Sequence, residues 1–252
     1  MNALPLKICG LTRGEDARLC AEIGAAYVGF IFVAASPRCI TPERVARLDT
    51  GGALRVGVFA GTPPDEVRRI MALARLDYAQ LHGGESPDLC RAVGPERVIK
   101  VLWPEALAAA AKSGPVSGPV SGPALGSAAG EVGGKAAGVP TGPAPGANPG
   151  TALDALYAEC ERFAPVCSLF LLDAGQRGGG GGRSLAFEAL RDFRPSRPWL
   201  LAGGLGPDNL AVAAATCSPH AFDCNSALEE APGRKSAALV RAAAEVLRKI
   251  ET

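Results

Sequence analysis

Histidine is scarce in this chain: His82 and His220 are the only two among 252 residues. With so few imidazoles, and no C-x-x-C among the eight cysteines, no zinc-ligand spacing can be assembled, and nothing calls for a metal or another cofactor. Aromatic residues make up 5% of the chain, too few for a platform on which nucleic-acid bases could stack. The formal net charge is only +1, which gives no electrostatic case for a nucleic acid or an anionic membrane as partner. No apolar run reaches the roughly eighteen residues that a membrane span requires. The opening MNALPLKICG lacks the basic segment and long apolar run of a secretory leader. Together these absences lead us to expect a cytoplasmic protein whose reduced cysteines mostly serve as small buried hydrophobes.

What is present suits a sizeable core. Hydrophobic residues are 48% and charged residues 20% of the chain, and the length fits one α/β barrel domain. Eight short apolar runs read as strands: 6–9, 27–32, 54–59, 78–82, 97–103, 169–174, 198–204 and 220–226. Most are continuous rather than alternating, as expected for parallel strands covered on both faces. Amphipathic stretches lie between them. TRGEDARLCAEIGA opens with Thr12 and Glu15 in a capping-box spacing. TPERVARL and TPPDEVRRIMALA place proline after a threonine cap, and SPDLCRAV and GPDNLAVAAA repeat the device. GRKSAALVRAAAEVLRKI reads as a long closing helix. Eight strands alternating with eight helical stretches predict a (β/α)8 barrel, a TIM barrel, with an open doubly wound sheet as the rival. Residues 106–150 stand apart. Their Gly, Pro, Ala and Ser content, including GPVSGPVSGP, predicts a flexible insertion in the loop after strand five rather than a second domain.

In a barrel, chemistry gathers where strands end. Cys9 ends strand one, Arg38 follows strand two, His82 ends strand four and Asp173 ends strand six. Gly203 and Gly204 end strand seven, and Asn225, Ser226 and Ala227 follow strand eight. A thiol, a cation, a carboxylate and two turns suited to backbone contact with an anion thus converge on one mouth.

These segments resemble phosphoribosylanthranilate isomerase, a barrel enzyme of tryptophan biosynthesis. The motifs are KICGLT, GFIF…SPR, VGVF, QLHG, LLDA…GGGGRSLAF, LAGGL and FDCNSALEEAPGRK, in the family's order from residue 7 to about 235. Only the 106–150 insertion is foreign to the pattern. The resemblance implies an Amadori rearrangement of N-(5-phosphoribosyl)anthranilate to 1-(2-carboxyphenylamino)-1-deoxyribulose 5-phosphate. Carried over by motif, Cys9 is the general base and Asp173 the general acid. Arg38 is the partner of the anthranilate carboxylate, and Gly203, Gly204, Asn225, Ser226 and Ala227 form the phosphate site. The family often has Ser-Ser-Gly where this chain has Asn-Ser-Ala, which is tolerable provided that Ala227 is not forced to positive φ. Lys7 shares a side with Cys9 and is expected to help it only weakly. Asp223 is expected to orient the turn that follows it. Gln80 and His82 share a face, and His82 either contacts the substrate or is a structural histidine of the rim. Gly178 to Gly182 lie in the family's mobile cover loop. The implied partner is a small phosphosugar, and the chain would act as a monomer or homodimer. The alternatives are another phosphate-binding barrel enzyme and a phosphosugar-binding barrel without catalysis.

Overall fold

The computed structural model describes residues 4–104, 152–173 and 187–250. The eight expected strands are all present: β1 (Leu6–Ile8), β2 (Tyr27–Ile31), β3 (Leu54–Phe59), β4 (Tyr78–Leu81), β5 (Val98–Leu102), β6 (Leu169–Asp173), β7 (Trp199–Ala202) and β8 (Ala221–Cys224). They pair in parallel and in chain order, and β8 returns to β1 to close the barrel. Closure excludes the open doubly wound sheet.

Alternation along each strand sorts side chains into two cores. Tyr27, Val56, Ile99, Val101, Leu169, Leu171, Leu200 and Ala221 pack inside the barrel. Their neighbours, such as Ile8, Val28, Phe170, Leu201 and Phe222, face out and meet the helices. Both faces are buried, which explains why the strands are mostly apolar; the polar exceptions include Lys7, Gln80, Lys100 and Asp223.

Seven α-helices occur among the described residues: α1 (Gly14–Glu22), α2 (Pro42–Ala46), α3 (Pro64–Ala74), α4 (Pro87–Val93), α5 (Ala152–Phe163), α6 (Leu210–Thr216) and α7 (Ala237–Ile250). Between β6 and β7 the described residues hold only a 3-10 turn, Phe187–Leu190. A short antiparallel hairpin, β9 (Glu229–Ala231) with β10 (Arg234–Lys235), was not expected and takes the start of the predicted closing helix. The 106–150 insertion and the glycine run 178–182 both lie outside the described residues.

The caps divide. Thr41 and Ser86 accept hydrogen bonds from the N–H groups of Arg44 and Leu89, each with proline at the first helical position. Thr12 does not cap α1: its hydroxyl donates to Gly233 O at 2.6 Å, and Arg13 stands at the N-cap without a side-chain bond. Thr62 is one residue too early, because Pro63 is the N-cap of α3. Before α6, Asn209 is the N-cap, and its side chain ties Gly206 N–H to Gly204 O instead. Ser86→Ala should therefore cost about 1 kcal/mol in denaturant unfolding, whereas Thr12→Ser, which keeps the hydroxyl, should cost little.

Candidate active site

The thiol of Cys9 owes its place to two glycines. Cys9 follows β1, and its N–H donates to Cys224 O at 2.9 Å, continuing the ladder to β8. On the next strand, a Cβ at Gly29 would lie 2.6 Å from Cys9 Sγ, so only glycine leaves room for the thiol in this position. Gly10 has φ of +75°, and a Cβ there would come within 2.8 Å of Arg38 Cδ and 2.6 Å of Asn225 Oδ1. The glycine of KICG thus lets the chain turn under both groups. Cys9 packs with Ile31 and Val58 and is almost wholly buried.

Beneath the thiol lies a buried ion pair. Lys7 Nζ donates to Asp223 Oδ2 at 2.7 Å, from side chains that are 0% and 6% exposed. This changes two expectations. Asp223 reaches across to β1 rather than serving the turn after β8, and Lys7 is a close electrostatic neighbour of Cys9. Burial pushes the Cys9 thiol up from its ordinary pKa; Lys7 pulls it down, Lys235 acts the same way, and Asp223 opposes them. Burial prevails. Lys7 is held in its charged form because Asp223 and Cys9 outweigh its own burial.

Asp173 is the last residue of β6, three steps from β1 around the ring. His82 Nε2 stands 3.5 Å from Asp173 Oδ2. The same imidazole lies 3.2 Å from Gln80 Nε2 through Nδ1 and meets the Trp103 ring edge-on at 5.6 Å. Burial lowers the His82 pKa against the pull of Asp173, so the ring is neutral at neutral pH. Nδ1 of the ring faces the Gln80 amide, and the Nε2 edge faces Asp173. His82 is therefore a neighbour of the carboxylate, which sequence reading alone did not assign. Among the described residues, Arg55 Nε, Gln80 Oε1, Trp103 Nε1 and Asp223 Oδ1 are buried with no hydrogen-bond partner.

Arg38 follows β2 and is half-buried. Its Nε and Nη2 grip Glu229 at 2.9 and 2.6 Å. Nη1 takes no part in that pair. Gly203 and Gly204 both have positive φ, 104° and 70°, as a backbone turn that approaches an anion requires. Asn225 leads into a 3-10 turn, Ser226–Leu228, and Ala227 keeps negative φ, which removes the reservation about Asn-Ser-Ala. Gly206 and Ala227 bring the β7 and β8 turns together, since a Cβ on Gly206 would lie 2.9 Å from Ala227 Cβ. Among the described residues no cluster of His, Cys, Asp and Glu could hold a metal ion. No helix among them is long and apolar enough to cross a membrane.

A closed parallel barrel with a thiol, a carboxylate, an arginine and two glycine- or serine-bearing turns at the C-terminal mouth has the layout of the barrel enzymes, whose active sites sit at that face. A profile of the N-(5'phosphoribosyl)anthranilate (PRA) isomerase family matches residues 6–133 and 149–246. The chain belongs to that family. It is 40% identical over 244 residues to the N-(5'-phosphoribosyl)anthranilate isomerase of Desulfovibrio desulfuricans, covering 97% of this chain and 95% of the relative. The crystal structure of phosphoribosyl anthranilate isomerase from Thermus thermophilus superposes with a TM-score of 0.67 at 33% identity, over 98% of this chain and 99% of the other. A second solved structure, 25% identical with a TM-score of 0.66 and the same coverage of both chains, is a phosphoribosyl anthranilate isomerase in complex with reduced 1-(o-carboxyphenylamino)-1-deoxyribulose 5-phosphate.

Proposed function

We propose that this chain is an aldose–ketose isomerase that converts N-(5-phosphoribosyl)anthranilate to 1-(2-carboxyphenylamino)-1-deoxyribulose 5-phosphate, a step of tryptophan biosynthesis. The observation that carries this reading is that Cys9, just past β1, and Asp173, the last residue of β6, stand at the C-terminal ends of two barrel strands, in a chain of the isomerase family. The chemistry needs one group of each kind. Asp173 gives a proton to the ribose ring oxygen, the C1–O bond breaks, and the anilino nitrogen lone pair forms the iminium. Cys9, as thiolate, then takes the proton from ribose C2, and the electron pair moves to give the enolamine. Gain of a proton at C1 and loss of the enol proton yield the ketose. His82, whose Nε2 edge faces Asp173, steadies the carboxylate after it has lost its proton.

Arg38 receives the anthranilate carboxylate through the part of its guanidinium that Glu229 does not hold. Backbone N–H groups of the Gly203–Gly204 and Asn225–Ala227 turns receive the phosphate. The chain is read as one barrel domain, residues 1–252, with 106–150 as an insertion within it. All of the groups assigned here come from one chain, which suits a monomer and a homodimer alike.

The binding assignments are tested by steady-state kinetics. If Arg38 holds the carboxylate equally in ground and transition states, Arg38→Ala should raise KM by about tenfold or more and lower kcat far less. Inorganic phosphate should compete with substrate in both proteins. An unchanged KM would remove Arg38 from substrate binding.

A further inference from the structure

Glu229 opens the hairpin that follows the turn after β8, and its side chain is 4% exposed. Two cations and a backbone amide converge on this one carboxylate. Arg38 Nε reaches Oε1 at 2.9 Å and Oε2 at 3.1 Å, and Nη2 reaches Oε2 at 2.6 Å. Lys235 Nζ and Gly233 N–H donate to Oε1 at 3.0 and 3.1 Å. Burial works against the Glu229 charge, but Arg38 and Lys235 hold its pKa below the ordinary carboxylate value.

Lys235 extends the connection. Its buried ammonium donates to the main-chain oxygen and to Oδ1 of Asn225, both at 3.0 Å. Arg38 comes from the loop after β2, and Asn225 from the loop after β8. Only β1 stands between these strands in the barrel, and over its end Gly10 lies against both groups. The path Arg38–Glu229–Lys235–Asn225 therefore joins the two places where an anion would be held. A free arginine on a loop could follow a ligand of any length. This one has two of its three nitrogens occupied within the protein, and a planar guanidinium gripped on one edge has a fixed direction.

We propose that Glu229 is a positioning residue that sets the separation between the Arg38 guanidinium and the Asn225–Ala227 turn, and so selects ligands whose carboxylate and phosphate stand that far apart. The inference rests on the reading that Arg38 and this turn hold the two anionic ends of the substrate.

The test compares a two-ended ligand with its halves. In Glu229→Gln, KM for the phosphoribosyl anthranilate should rise by about tenfold or more while kcat changes by less than about threefold. Inhibition by inorganic phosphate and by free anthranilate should change by less than about twofold, since neither half senses the separation. Glu229→Asp keeps the charge but shortens the reach, and KM should stay raised. In an Arg38→Ala background, Glu229→Gln should add no more than about twofold, because interacting residues are not additive. A KM within about twofold of wild type in both Glu229 variants, with Arg38→Ala still impaired, would overturn the proposal and leave the binding reading intact. Equal weakening of the substrate and both halves would overturn it too, by making Glu229 a general prop for the site. An Arg38→Ala protein with unchanged KM would instead remove the reading beneath the proposal, and the proposal with it.

Discussion

Cys9→Ala is expected to lower kcat by at least about 100-fold while the protein stays folded, the usual scale for removing a general base. The fold should survive because the change removes one sulfur from a small cluster with Ile31 and Val58, beside a strand glycine that already leaves space there. Asp173→Asn should have an effect of the same order, about 100-fold or more, with the shape of the side chain and the His82 contact kept. The double variant should be little worse than either single one, since an acid and a base acting on one substrate work as a unit. Near-native kcat in either variant, with circular dichroism unchanged, would remove that residue from the mechanism.

The second large effect concerns the ion pair beneath the thiol. Lys7→Met leaves Asp223 buried without its cation, which should cost about 3–5 kcal/mol in denaturant unfolding. Replacing both, as Lys7→Met with Asp223→Asn, removes the two charges together and should recover most of that loss. Turnover should not recover with it. In its proposed role as base Cys9 acts as thiolate, so a raised pKa means that the thiol predominates at neutral pH and only a minor fraction is reactive. Lys7 is the strongest charged influence pulling that pKa down, ahead of the opposing Asp223. Without the pair the thiol should titrate higher still, so that less thiolate is present at a given pH. Alkylation of Cys9, followed by mass spectrometry, should accelerate with pH beyond the ordinary thiol pKa of about 8.5 in the native protein, and at still higher pH in the double variant. If the double variant alkylates and turns over like the native protein, the pair is structural only.

What the sequence disclosed follows from what local pattern encodes. Strands such as YVGFI and WLLA were legible because parallel strands buried on both faces are largely apolar. The gathering of the strand ends was legible because a closed barrel brings all eight to one mouth. Caps at Thr41 and Ser86 were legible because their partners lie three residues on. Thr12 has the same spacing and fails, since Gly233, 221 residues later, offers its carbonyl. The Lys7–Asp223, Arg38–Glu229 and His82–Asp173 pairings were hidden for a related reason: periodicity assigns a face, not a partner on a distant strand. The β9–β10 hairpin is short and polar, and its anchoring bonds reach back to Arg38 and Asp16. Gly29 was the one missed signal with a local sign. A glycine inside an apolar strand commonly marks close approach of another group, and here that group is the thiol.

The most direct test is turnover itself. Anthranilate conjugates fluoresce, so N-(5-phosphoribosyl)anthranilate, mixed in large excess with the purified protein, can be followed as it is consumed and the product identified by mass and chromatography. The account predicts many turnovers per chain to the 1-deoxyribulose 5-phosphate ketose, competed by inorganic phosphate and slowed at least about 100-fold in Cys9→Ala. Saturable binding of the substrate without its consumption would contradict it, and would make this barrel a phosphosugar-binding protein instead.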